Sequence, residues 1–144
     1  MTKCSDIMTE ELVCCTPGDT VTEVARLMKK EDIGPVLIVD SDRSKTLVGI
    51  VTDRDLVLKV IAEGLDPQTT RVQDVMSKKL VTCYTDDNVE QAMNAMAQYQ
   101  LRRIPVVEEN MKLVGIISQA DVATRVGDLD KTGEVVKEIS QENT

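Results

Sequence analysis

The sequence has no histidine, no tryptophan and no phenylalanine among its 144 residues. Without histidine there is no imidazole general base, no Ser-His-Asp triad and no histidine ligand for zinc. Aromatics are two tyrosines, so the core must be aliphatic, and no row of rings exists on which single-stranded bases could stack. Positive charge is scarce too. Seventeen basic against 25 acidic residues leave a formal −8, a field that repels phosphate backbones and argues against nucleic acid as a partner. No apolar run approaches the roughly 18 residues of a membrane-spanning helix. Asp6, Glu10 and Glu11 interrupt the stretch where a secretion signal needs an unbroken apolar run. We expect a cytoplasmic protein with no membrane partner.

Cysteine is present but not patterned for metal. Cys4, Cys14, Cys15 and Cys83 form no C-x-x-C pair, so a structural zinc site is not expected. In a reducing compartment they read as small buried hydrophobes, with Cys4 the candidate for redox use.

What the chain does have is a repeat. Shifted by 68 positions, residues 6–40 lie on 74–108 without a gap. Asp6/Asp74, Met8/Met76, Leu12/Leu80, Val13/Val81, Cys15/Cys83, Asp19/Asp87, Val21/Val89, Met28/Met96 and Val39/Val107 coincide. After a loop two residues shorter in the second copy, Leu47-Val48-Gly49-Ile50 recurs as Leu113-Val114-Gly115-Ile116, and Asp55 is matched by Asp121. The chain is duplicated.

Each copy follows one plan. Val21, Val24, Ala25 and Met28 fall at helical spacing, as do Val89, Ala92, Met93 and Met96. Thr20-x-x-Glu23 resembles a capping box, and Asp87 or Asn88 opens the second of these helices. Two β runs follow, 36–39 and 47–51 or 104–107 and 113–117, which pair most simply as a hairpin. A further helix opens at Thr52 or Ser118, carrying Leu56, Val57, Val60 and Ile61 or Val122, Ala123 and Val126; Gly64 and Gly127 end them. Each repeat is therefore β-α-β-β-α, an α/β (α+β) class, with repeat one at 1–66, a linker at 67–71, repeat two at 72–127 and a polar tail at 128–144 with a weak helix near Val135 to Ile139. A half of about 65 residues has little core of its own, so the two should share one about a pseudo-twofold axis. Met28, Met76, Met93 and Met96 read as packing, and Tyr84 as a tyrosine at the edge of the core.

Chemistry concentrates in Gly49-Ile50-Val51-Thr52-Asp53-Arg54-Asp55 and Gly115-Ile116-Ile117-Ser118-Gln119-Ala120-Asp121. Reduced, this is G-h-h-[T/S]-x-x-D. A hydroxyl and a carboxylate three residues on share the mouth of a helix; the carboxylate accepts only, which suits a vicinal diol such as a ribose. The same pair also makes a good helix cap, and duplication copies caps as well as sites.

The order and duplication of these motifs, with Ile104-Pro105-Val106-Val107 and the Asp-[Ile/Val]-Met openings, resemble tandem cystathionine-β-synthase (CBS) domains over about residues 4–127. Thr52-Asp53-Arg54-Asp55 followed by Gly64-Leu65-Asp66-Pro67 is similar to stand-alone bacterial CBS pairs. The resemblance implies a regulatory sensor, not an enzyme. It implies clefts between the repeats that take AMP, ADP, ATP, S-adenosylmethionine or a related adenosyl ligand. It also implies a disk-like homodimer; with no fused catalytic, channel or DNA-binding domain in the sequence, a regulated target is expected to be a separate chain or absent. Carried over, one cleft joins Thr52, Arg54 and Asp55 to Val81, Thr82, Arg102, Arg103 and Ile104. The other joins Ser118 and Asp121 to Val13, Cys14, Gly34, Pro35 and Val36. The first is favoured, because Arg102 and Arg103 suit ligand phosphates while Gly34 and Pro35 bring no charge. Here the sequence departs from the family, whose proline would stand at Leu37 and not at Pro35. No resident cofactor and no metal are implied. The competing reading is a structural dimerisation or stress-response module with empty clefts. An enzyme is the least supported: there is no phosphate-binding glycine loop, paired-carboxylate metal motif or activated nucleophile.

Overall fold

The computed structural model describes residues 2–125. Val126, Gly127 and the expected polar tail with its weak helix lie outside the described residues. The chain divides into two compact units, Val13–Leu80 and a second that joins the residues up to Leu12 to those from Val81 onward.

In the first unit β1 (Cys14–Cys15) runs parallel to β2 (Pro35–Val39), which pairs antiparallel with β3 (Leu47–Thr52). Helix α2 (Val21–Glu31) intervenes after β1, and α3 (Asp53–Leu56) continues from β3 into a π-helical turn over Val57–Ile61. In the second unit β4 (Cys83–Tyr84), β5 (Arg103–Glu108) and β6 (Lys112–Ser118) repeat this order, with α4 (Val89–Gln98), α5 (Gln119–Arg125) and a short α1 (Cys4–Ile7). The mixed α/β plan of two equivalent β-α-β-β-α repeats is as the sequence predicts.

The helices start where side chains satisfy the first free amides. Thr20 accepts from Glu23 N, and Asn88 caps α4 in a reciprocal box closed by Gln91. Gly64 ends the π-helical turn at φ 72°, a left-handed conformation that glycine adopts without strain. The cores are aliphatic, each methionine or branched side chain adding about 2 kcal/mol of burial. Val24, Val36, Ile38, Val51 and Val60 pack one, and Ile7, Met93, Met96, Ile104 and Ile117 the other.

Two short segments complete the sheets. Ser77 exchanges both backbone bonds with Ile50 at 2.8 and 2.9 Å; Thr9 does the same with Ile116 at 2.8 and 3.0 Å. Met76 and Met8 thereby lie over Gly49 and Gly115. Each Asp-h-Met opening thus docks on the G-h-h strand of the repeat that is not its own in sequence. Residues 67–72 run along the start of α2, with Val21 N donating to Thr70 O, Thr22 N to Pro67 O and Arg71 to Gly18 O.

Two expectations fail. Val57 and Ile61 are 55% and 63% exposed, while Leu56 and Val60 are buried. The wider π turn leaves Leu56 and Val60, four apart, as the inward pair. Tyr84 is 51% exposed because β4 alternates, directing Cys83 into the core and Tyr84 outward.

Candidate functional site

Each repeat gathers its candidate residues at one end of its sheet. In the first unit Val13 leads into β1 at Cys14, Gly34 leads into β2 at Pro35 and Val36, β3 ends at Thr52, and Arg54 and Asp55 follow on α3. Pro35 stands opposite Thr52, and Asp53 N donates to Gly34 O at 3.1 Å. In the second, Val81 and Thr82 precede β4, Arg102 to Ile104 open β5, and β6 delivers Ser118 and Asp121. Arg103 stands opposite Ser118, and Gln119 N donates to Arg102 O at 3.1 Å. Within each unit, then, the strand openings lie beside that repeat's own hydroxyl–carboxylate pair. The two clefts expected from the sequence each combine residues of both units.

The hydroxyl–carboxylate pairs close on themselves. Thr52 N and Oγ1 donate to Asp55 Oδ2 at 2.9 and 3.1 Å, and Asp55 N donates back to Thr52 Oγ1 at 3.2 Å. Ser118 and Asp121 repeat all three bonds at 3.0, 3.1 and 3.1 Å. Both are capping boxes, so the cap role is real. Asp55 Oδ1 also meets Lys59 Nζ at 3.3 Å, and Lys59 donates to Val75 O at 3.0 Å. A carboxylate has about four acceptor sites, so each aspartate keeps capacity for a further donor.

The two sheet ends differ in charge. Arg54, Arg102 and Arg103 are exposed, and among the described residues none has an ion-pair partner within 4.0 Å. Beside Gly34 stands the Asp53 carboxylate, 3.3 Å from where a Cβ would be. At the equivalent place in the second unit is Gln119, whose buried Nε2 has no hydrogen-bond partner among the described residues. Val36 and Ile104 are wholly buried, so what they present to a ligand is main chain. Gln119 and Lys59 are the residues the sequence did not single out. Gln119 stands at an unspecified position inside the motif and Lys59 four residues beyond its aspartate, one an orphan donor and the other the clamp on Asp55.

The comparisons with known proteins decide the family. A family model described as the CBS domain matches residues 4–62 and again 72–128. The chain belongs to the CBS-domain family. Similar curated proteins include an uncharacterised Bacillus subtilis protein, YlbB, 42% identical over 98% of this chain and 93% of its own. Hypoxic response protein 1 of Mycobacterium tuberculosis is 37% identical over 85% and 84%. The solved structure of hypoxic response protein I, with two coordinated zinc ions, superposes with TM-score 0.76 at 35% identity over 88% of this CBS chain and 100% of its own. The cytosolic domain of the Mg2+ channel MgtE, solved with ATP, gives TM-score 0.66 at 34% identity over 80% of this chain and 45% of its own.

Zinc is a property of that neighbour's structure. This CBS chain has no histidine, and its described residues hold no group of three or more cysteines and carboxylates that could take a metal. None of the helices among the described residues is long and apolar enough to cross a membrane.

Proposed function

We propose that this CBS pair is a regulatory sensor of an adenosine-containing ligand, of the AMP, ADP, ATP or S-adenosylmethionine class, with no catalytic activity of its own. The observation that carries the reading is the asymmetry in charge between two otherwise equivalent sheet ends. Arg102 and Arg103 stand exposed without an ion-pair partner among the described residues of a chain of net charge −8, where a repeat of purely structural purpose needs no such pair. Arginine offers a planar fork for bidentate contact with phosphate. The ATP-bound MgtE domain, at 34% identity, supports the ligand class.

In the favoured site Asp55 takes the ribose hydroxyls, Thr52 and Arg54 flank it, and Arg102 and Arg103 take the phosphates, with Val81, Thr82 and the Ile104 main chain around the base. Joining Thr52 and Asp55 to the arginines rests on the family pattern. The second site joins Ser118 and Asp121 to Val13, Cys14, Gly34, Pro35 and Val36, with the Asp53 carboxylate disfavouring phosphate there. Ligand would act by a difference in affinity between two states of the module.

The same reading includes a cytoplasmic homodimer and a separate regulated protein. The exposed apolar residues Val57, Leu58, Ile61 and Leu65, beside a groove of about 380 Å³ lined by Val21, Ala25 and Leu56, supply a surface for self-association.

A structural module without ligand is the competing reading, favoured by the closed capping boxes. A thermal-shift screen with AMP, ADP, ATP and S-adenosylmethionine separates the two. The sensor reading expects a rise in melting temperature with at least one compound, lost in Asp55→Ala. No rise with any of them would sink it.

A further inference from the structure

Cys4 and Cys83 occupy one core cluster together with Ile7, Val89, Met93 and Ile104. Backbone bonds bring residue 4 there, Cys4 N donating to Asp87 O at 2.9 Å and Ser5 N to Thr85 O at 3.1 Å. These bonds lay α1 on the segment that follows Cys83, and the two thiols are side-chain neighbours. Each thiol also donates to a main-chain oxygen, Cys4 Sγ to Asn88 O at 3.9 Å and Cys83 Sγ to Pro105 O at 3.8 Å. The contact has a direction. The side-chain contact with Cys83 holds the Cys4 thiol below its ordinary range, against the opposing effects of burial and Asp87. The same contact, reinforced by burial, pushes the Cys83 thiol up. Of the two, Cys4 is the thiol that ionises first. The ligand reading uses neither.

We propose that Cys4 and Cys83 form a dithiol that a hydroperoxide oxidises to a disulfide, linking α1 covalently to β4 within one unit. Cys4, as thiolate, attacks a peroxide oxygen; an S–O bond forms, the O–O bond breaks, and hydroxide leaves to become water on taking up a proton. The Cys83 sulfur then displaces hydroxide from the Cys4 sulfenic acid. An S–S bond forms, the S–O bond breaks, and the Cys83 proton leaves with the hydroxide as a second water. Two thiols and one hydrogen peroxide give one disulfide and two waters, the sulfurs losing the two electrons that the peroxide gains. The thiols are 0% and 3% exposed, so peroxide reaches them through opening of α1. That helix has only four residues, a single turn with Asp6 N donating to Lys3 O at 2.9 Å and Met8 N to Cys4 O at 3.1 Å. Oxidation is therefore slower than at an exposed thiol but directed to one partner.

The test treats the reduced full-length chain with equimolar hydrogen peroxide, alkylates the remaining thiols and maps the peptides without reduction. The expected product has lost two alkylation sites, contains a peptide linking Cys4 to Cys83, and reverts with dithiothreitol. Because the link closes a long loop, oxidation raises the melting temperature of the wild type by at least about 5 °C and leaves Cys4→Ala and Cys83→Ala unshifted. Four alkylated cysteines after peroxide, a Cys14–Cys15 disulfide or a link between two chains would each overturn the proposal. The wild-type peptide map decides it even where a variant folds poorly.

Discussion

Met8 lies against Gly115 so closely that a methyl group on the glycine would stand 2.5 Å from the methionine sulfur, 2.8 Å from its Cγ and 3.0 Å from Thr9 O. The equivalent distances at Gly49 are 2.6 Å to Met76 Sδ, 3.1 Å to its Cγ and 3.1 Å to Ser77 O. A methionine side chain can swing away; a backbone oxygen fixed by a two-bond bridge cannot. Gly115→Ala should therefore destabilise by about 1–3 kcal/mol, and Gly49→Ala by less. Urea midpoints read this. In Met8→Ala/Gly115→Ala the loss should be smaller than the sum of the single effects. Equal, near-zero effects would mean that the Asp-h-Met segments are not packed on these strands.

That contact also marks the limit of what the sequence discloses. The duplication, the helical spacing of Val89, Ala92, Met93 and Met96, and the caps at Thr52 and Ser118 are local signals, and the structure follows them. Which strand Met8 covers is not local. Both openings fit both glycine strands, and only the path of the chain decides that Met8 meets Gly115 and Met76 meets Gly49. Val57 and Ile61 were misplaced for a different reason: a period of 3.6 does not describe a π turn, and the apolar surface they form is exposed. At the candidate site the motif residues were legible. The orphan Gln119 amide and the Lys59 clamp were not, because an unspecified position in or beside a motif carries no chemical signature until its neighbours are placed.

The capping boxes predict a stability effect separable from ligand binding. Thr52→Val and Ser118→Ala remove the hydroxyl that accepts from the third helical amide and should each cost about 1 kcal/mol, while Thr52→Ser costs only a few tenths. Chemical denaturation without added ligand measures this. If Thr52→Val is neutral, the Thr52–Asp55 bonds are not holding the start of α3.

Alkaline pH should unfold the protein through its buried thiols. Burial and the nearby Asp19 push Cys15 up to about 12 from an ordinary value of 9.0, and Cys83 is also raised. The folded state then holds protons that the unfolded state releases. Stability is fully present below pH 9 and is lost as pH rises from there through 12. Denaturation midpoints taken from pH 9 to 11 should fall, less steeply in Cys15→Ala. A midpoint that rises above pH 9 has the wrong sign for this account.

The exposed apolar residues on the π turn predict association. Sedimentation at micromolar concentration should show a dimer for the wild type. Ile61→Lys, at a position 63% exposed, should shift it to monomer without lowering the melting temperature of the monomer. A wild-type monomer removes the homodimer from the proposed function.

The sensor reading stands or falls on direct binding at the named residues. Isothermal titration of AMP, ADP, ATP and S-adenosylmethionine into the wild type, Asp55→Asn and Arg102→Gln/Arg103→Gln measures it. The prediction is saturable binding of at least one ligand. Asp55→Asn should weaken every adenosyl ligand about tenfold or more, and the arginine double variant should weaken the phosphate-bearing ones selectively. No saturable heat with any of the four, or an affinity unchanged in both variants, contradicts it.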